Sequence, residues 1–260
     1  MGRRQLVLGI DAAWTDHGTS GVALMSVENG DRRIIAANSS YADFAPLGGA
    51  KLAQSLLSAA TERGGAPVDI VAIDMPISRT MITGRREADN AVSRAFGRYG
   101  AGTHSPSEAR PGVFGRDLVL EFVQVGFSIA TKPSPAQTSP ALIEVFPLAA
   151  LVRLMHSARR PPYKVAKARK YWPGVTPNES IDLLLDQWQA IAEELTREVQ
   201  ILMIEFPKRE NVSTRASLKR YEDMLDAVIC AWAGACYLEG RAESFGDENA
   251  AIWVPVEELT

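Results

Sequence analysis

The chain has only two cysteines and three histidines, and no apolar run approaches the roughly 20 residues that cross a bilayer. Each shortage closes off a class of answer. Cys230 and Cys236 stand six residues apart on one expected helix and face different ways, so they read as small core residues, not a disulfide. The three histidines fall in no recognisable motif, so a histidine general base has little to rest on. The opening Met1-Gly2-Arg3-Arg4-Gln5 is charged but runs straight into an apolar strand, unlike a signal peptide. A cytoplasmic protein without a membrane segment is the expectation. The formal net charge of −3 offers no overall basic field for gripping nucleic acid.

What is present is ordinary globular material. Hydrophobic residues make up 46% and charged residues 23% of 260, which excludes collagen, coiled coil and disorder and allows an ample core. A single domain over 1–260, with a loop-rich insertion over 80–140, is the simplest organisation.

Residues 6–11, Leu-Val-Leu-Gly-Ile-Asp, form a short apolar run that ends on a carboxylate, followed by Ala12 and Ala13. Residues 21–27 and 33–37 read as further strands, joined by Asn29-Gly30, a strong hairpin signal. Leu52, Leu56, Leu57 and Ala60 recur at helical spacing, and Gly64-Gly65 ends that helix. Residues 68–74 repeat the first design: an apolar run, then Asp74, with Pro76 as a stop. A crossover helix between the meander and this strand predicts parallel pairing with the first strand, with Asp11 and Asp74 at one end. Ends of strands in open sheets are where ligands bind.

Residues 85–96 and 117–127 read as helices, and 97–115, rich in Gly, Pro and Ser, as a surface loop or lid. Pro133, Pro135 and Pro140 mark another loop before a fifth strand at 141–146, closed by Pro147 and followed by a helix over 148–156. A helix over 180–206 carries Ile181, Leu184, Leu185, Trp188, Ile191, Leu195, Val199 and Leu202 as a stripe, with Pro207 as its stop. The last helix spans 217–239 with Gly240 at its end; its many alanines suit close packing on a sheet. Residues 251–254 are a candidate last strand.

Five acids in apolar settings stand out: Asp11, Asp74, Glu144, Asp223 and Asp226. Asp223 and Asp226 are three apart and can share a helical face. Hard divalent cations take oxygen ligands from separate elements, so all five are candidate ligands for Mg²⁺ or Mn²⁺. Two such ions would activate a water and stabilise a leaving oxygen without a separate base. Asp11, Asp74, Glu144 and Asp226 are the candidate catalytic residues. Each has a plainer reading. Asp11 and Asp74 suit turns, Glu144 suits an ion pair with Arg79, Arg86 or Lys132, and Asp223 suits the solvent or a helix cap.

Residues 145–178 contain no acid but hold seven Lys and Arg side chains interleaved with Tyr163, Tyr171 and Trp172. Lys164 and Lys167 there, with Arg86 and Arg94, are candidate phosphate contacts, and the aromatics could stack bases. The alternative is a solvated loop whose lysines pair with the acidic helix after it. Residues 97–102 lack a Walker lysine and form no phosphate loop.

Several short pieces occur in a telling order: Gly9-Ile10-Asp11, Ile73-Asp74-Met75-Pro76-Ile77, Arg86 with Asp89, Pro111-Gly112-Val113-Phe114-Gly115, Glu144-Val145-Phe146-Pro147, and residues 221–227, Tyr-Glu-Asp-Met-Leu-Asp-Ala. In these the chain resembles the family catalogued as domain of unknown function 429, predicted nucleases of the ribonuclease H-like superfamily. The resemblance implies an α/β fold whose mixed sheet starts with antiparallel hairpin strands and continues with parallel ones, flanked by helices and carrying a helical and loop insertion. It also implies a carboxylate metal site at Asp11, Asp74, Glu144 and Asp226, and a DNA or RNA substrate. Glu144 departs from the superfamily pattern, whose known enzymes place no acid there. A homo-oligomer is compatible with the sequence. Two rival functions use the same fold. One is a noncatalytic nucleic-acid or protein-binding module acting through 153–170. The other is an actin- or sugar-kinase-like phosphotransferase, hinted at by Thr15 and Thr19 after Asp11 but lacking a second glycine-rich phosphate loop.

Overall fold

The structure is a computed structural model and describes residues 3–13, 20–46, 48–132, 134–135, 137–200 and 204–256. Thr15, Thr19, Pro133 and Leu202 lie outside the described residues.

Eight strands form one mixed sheet. In chain order they are β1 (Gln5–Asp11), β2 (Gly21–Glu28), β3 (Asp31–Asn38), β4 (Val68–Ile73), β5 (Ser128–Ile129), β6 (Ala141–Val145), β7 (Ala242–Gly246) and β8 (Ala251–Pro255). The spatial order is β3-β2-β1-β4-β6-β8-β7, with β5 also paired to β6. The helices are α1 (Tyr41–Phe44), α2 (Leu52–Gly64), α3 (Glu87–Phe96), α4 (Gly112–Gln124), α5 (Pro147–Leu154), α6 (Ala168–Tyr171), α7 (Pro177–Glu198) and α8 (Lys219–Leu238). Antiparallel hairpin strands leading into parallel ones, with helices on both faces, is a ribonuclease H-like arrangement.

β1–β3 form the expected meander, and β1 runs parallel to β4 with Ile10 opposite Ile73. The Asp74 amide donates to the Ile10 carbonyl at 2.8 Å, so the two strand-end acids sit side by side. Pleating then sorts side chains to two faces. Leu6, Leu8 and Ile10 join Val71, Ile73 and Leu142 in a core with α2 and α4. Val7, Ile70, Ala72, Ile143 and Val145 face the other way, into a larger core with α8, α5 and α7. α8 is buried along nearly its whole length because it lies directly on β1, β2 and β4. Contact this close needs glycine. A Cβ at Gly9 would stand 2.2 Å from the Ala227 carbonyl oxygen, and one at Gly21 would stand 1.9 Å from that of Asp223.

Several boundaries differ from expectation. The strand expected fifth is sixth in chain order, because the two-residue β5 precedes it, and it ends at Val145. α4 starts at Gly112, five residues before the expected helix. α7 stops at Glu198, well short of 206. Val199 turns extended there, and Gln200 donates its amide to the Arg32 carbonyl of β3 at 2.9 Å. Past the helix, Ile204 and Phe206 pack on the core from the segment that follows it. A short 3₁₀ turn over Arg215–Leu218 leads into α8. β7, which carries no clear period-2 signal, pairs antiparallel with β8. Both cysteines are buried and free. No helix among the described residues is long and apolar enough to cross a membrane.

Candidate functional site

A cavity of about 290 Å³ opens at the ends of β4 and β6 and under the start of α8. Asp74, Glu144, Lys164, Lys167, Lys219 and Glu222 are among its walls.

Asp11 and Asp74 end neighbouring strands, both on the α8 side of the sheet by pleat alternation. Both are half-buried. Among the described residues, neither carboxyl accepts a hydrogen bond or forms an ion pair. Burial raises the Asp11 pKa well above the usual carboxylate range, and Asp226, Asp74 and Asp223 raise it further while Lys164 lowers it. Asp74 is pushed up to about 7, first by burial; Asp226 and Glu144 add to this and Lys164 opposes it. The raised values describe two anions short of a counter-charge.

α8 supplies the rest. Asp226, fully buried, accepts from the Tyr163 hydroxyl at 2.6 Å and forms an ion pair with the Lys164 ammonium. Its pKa is raised by burial, against the pull of Lys164. Lys164 also lies 3.6 Å from Glu222, whose second oxygen accepts from the Val165 amide at 2.6 Å. Trp188 of α7 donates to the Tyr163 carbonyl at 2.9 Å and so holds this segment down. Asp223 differs from its expected place facing solvent or capping the helix. It is buried and forms an ion pair with Lys219, because α8 turns that face onto the sheet. Lys219 reaches Glu222 as well, at 2.9 Å.

Glu144 sits apart from this set. Its register partner is Ile73, not Asp74, so its side chain leaves the opposite face of the sheet. There Arg86 meets it twice, at 2.7 Å and 2.7 Å, and the Ile77 amide donates to it at 2.9 Å. Arg86 also donates to both oxygens of Asp89 and to the Ile77 carbonyl. All five guanidinium N–H donors are therefore engaged within the protein, leaving none for a substrate phosphate. The ion-pair alternative with Arg86 describes Glu144. Arg94 pairs with Glu87 on the exposed side of α3 and does not line the cavity. Lys167 does line it, and burial together with Arg160 and Lys164 lowers its pKa.

In the plainer of the two readings of the basic segment, its lysines pair with the acidic helix that follows. Lys164 pairs instead with α8. Reading the residues alone missed Lys219, Glu222 and the role of Tyr163. One signal was available: Lys219, Glu222, Asp223 and Asp226 fall at i, i+3, i+4 and i+7, one helical face.

A model of a protein family described as Protein of unknown function (DUF429) matches residues 9–251. The chain belongs to this DUF429 family. No curated protein and no solved structure matches it. The span covered by the DUF429 model runs from Gly9, two residues before Asp11, through all the charged residues of the site.

Among the described residues, no three His, Cys, Asp or Glu side chains form a group that could hold a metal ion. The donor chemistry nonetheless suits a hard cation. Asp11, Asp74, Asp226, Asp223 and Glu222 face the ammonium groups of Lys164 and Lys219, so carboxylates outnumber cations in a poorly solvated place.

Proposed function

We propose that this DUF429 protein is a divalent-metal-dependent phosphodiesterase acting on nucleic acid. One observation carries the reading: Asp11 and Asp74 are adjacent strand-end carboxyls without a partner among the described residues, held beside Asp226 with raised pKa values. Such a pair gains most from a cation that satisfies both. Asp11 and Asp74 would take up Mg²⁺ or Mn²⁺, and Asp226 would join them only by leaving Lys164, with Asp223 behind them. Glu144, engaged by Arg86, would shape the strand end instead of binding the ion.

When bound, the metal supplies Lewis acidity and a water of lowered pKa. The protein's own side chains do the remaining work. Lys164 balances Asp226 and favours its ionised form against the effect of burial. Tyr163 fixes that carboxylate's orientation through its hydroxyl. Lys167, on the cavity wall and repelled by Lys164 and Arg160, gains from a substrate phosphate.

Purified protein with Mn²⁺ should cut DNA or RNA, EDTA should stop it, and Asp11→Asn should lower the rate by at least about 10³-fold. Unchanged cleavage in Asp11→Asn would remove the proposal. The ammonium of Lys164 seated on Asp226 favours a second reading, a noncatalytic nucleic-acid-binding module. Its mark is binding that survives both EDTA and Asp11→Asn and is lost in Lys167→Glu, with no cleavage under any metal.

A further inference from the structure

A cavity of about 890 Å³ lies between residues 76–82 and α4. Its walls are mainly apolar, with Ile77, Met81, Leu120, Val123, Phe127 and Ile129 prominent. Met81 is 69% exposed, Leu120 48% and Val123 41%. Exposed apolar surface gathered in one place marks a binding site, since single scattered residues would need no explanation.

Two features of this groove limit its occupant. Pro76 lines both this cavity and the one at Asp74, so the two lie on either side of one residue at the end of β4. Arg79 and Arg116 also line it, against the one acid Glu108. The Arg79 guanidinium is steadied by a 2.9 Å bond to the Ile129 carbonyl and keeps other N–H donors in hand. An apolar floor with arginines beside it fits flat rings joined by phosphates. In a duplex the base faces are hidden in the stack, whereas in a single strand they can lie on apolar side chains.

We infer that the groove between residues 76–82 and α4 holds the unstacked bases of a single-stranded nucleic acid, with Arg79 and Arg116 on its phosphates and the strand passing Pro76 to Asp74. This deepens the proposed function and rests on it for the cleavage step alone; the binding step stands separately.

The test is fluorescence anisotropy with a fluorescein-labelled oligothymidylate, in EDTA and at low salt, beside a duplex of equal length. We expect the single strand to bind at least about tenfold tighter than the duplex, and Leu120→Asp and Arg116→Glu each to weaken it by about tenfold. Both positions are exposed, so these variants should keep the melting temperature of the parent, which is measured alongside. Equal binding of duplex and single strand, or wild-type binding by both variants, would overturn the inference. So would an apolar dye that Leu120→Asp releases while oligothymidylate binding is unmoved, since the groove would then belong to an apolar ligand or a protein. If the variants lose oligothymidylate but no metal supports cleavage, the groove stands and the nuclease reading falls. If Mn²⁺-dependent cleavage occurs and Leu120→Asp leaves its KM unchanged, the groove falls alone.

Discussion

Asp74 shows most directly how a residue's environment sets what it can do. Its pKa of about 7 arises chiefly from burial, with Asp226 and Glu144 adding repulsion. The sign of the consequence follows from linkage. A carboxyl whose folded pKa is raised keeps its proton while the unfolded chain has already released it. Stability is therefore lost as pH climbs from the ordinary carboxylate range, about 4, to about 7. A cation that binds the ionised pair reverses this. We expect Mn²⁺ to raise the melting temperature above neutral pH and to do little near pH ~5. Asp74→Asn should be more stable than the parent in EDTA above neutrality, by about 2–4 °C for each kcal/mol of repulsion removed, and should lose the Mn²⁺ response. Differential scanning fluorimetry across pH, with and without Mn²⁺, measures both. A destabilised, still Mn²⁺-responsive Asp74→Asn would show that Asp74 is a turn residue. That Asp11, Asp74 and Asp226 stand in apolar settings was legible from their neighbours in the chain. That Asp223 is buried, and that Glu144 already has a partner, depends on packing and could not be read from neighbours in the chain.

At the scale of elements, β1 and α8 meet at a distance that only glycine permits. The alanines of α8 signalled close packing, and the apolar runs of β1 and β4 with the intervening α2 signalled their parallel pairing. Both are local patterns with tertiary consequences. Register is different: nothing in residues 141–146 says that Glu144 lies opposite Ile73. That one-residue choice sends Glu144 to the face away from α8. The end of α7 was equally hidden, because the apolar stripe runs on to Val199 and Leu202 while β3 captures the backbone at Gln200. β7 escaped notice since its residues are half-buried on both faces, leaving no alternation to detect. Gly9→Ala tests the close contact. Its methyl group would stand 2.2 Å from the Ala227 oxygen, so α8 must move. We expect about 1–3 kcal/mol lower stability by urea unfolding, together with a smaller Mn²⁺ response, since Asp226 precedes Ala227. Full stability in Gly9→Ala would mean that α8 sits less tightly than described.

Across the whole molecule, charge is divided between the two faces of the sheet at one end. Arg86, Glu144 and Asp89 close on themselves and on the Ile77 backbone, tying the chain after β4 to β6. Asp11, Asp74 and Asp226 on the other face remain short of positive charge even with Lys164 in place. In the first cluster every guanidinium donor is taken; in the second, Asp11 and Asp74 have no partner among the described residues. The two should therefore separate by experiment. Breaking a buried pair by removing one partner costs about 3–5 kcal/mol, so Arg86→Ala should lower stability by that amount. Glu144→Gln keeps the shape and loses the charge, so it should cost less, and the Mn²⁺ response should survive it. Asp226→Asn should also lower stability, since it leaves the Lys164 ammonium without its partner, but unlike Glu144→Gln it should take the Mn²⁺ response with it. Calorimetric Mn²⁺ titration with thermal unfolding of the three variants reads this directly. If Glu144→Gln abolishes Mn²⁺ binding and Asp226→Asn spares it, the division between a structural face and a metal-binding face is inverted. Asp11 and Asp74 would then have to serve Glu144 across the sheet edge.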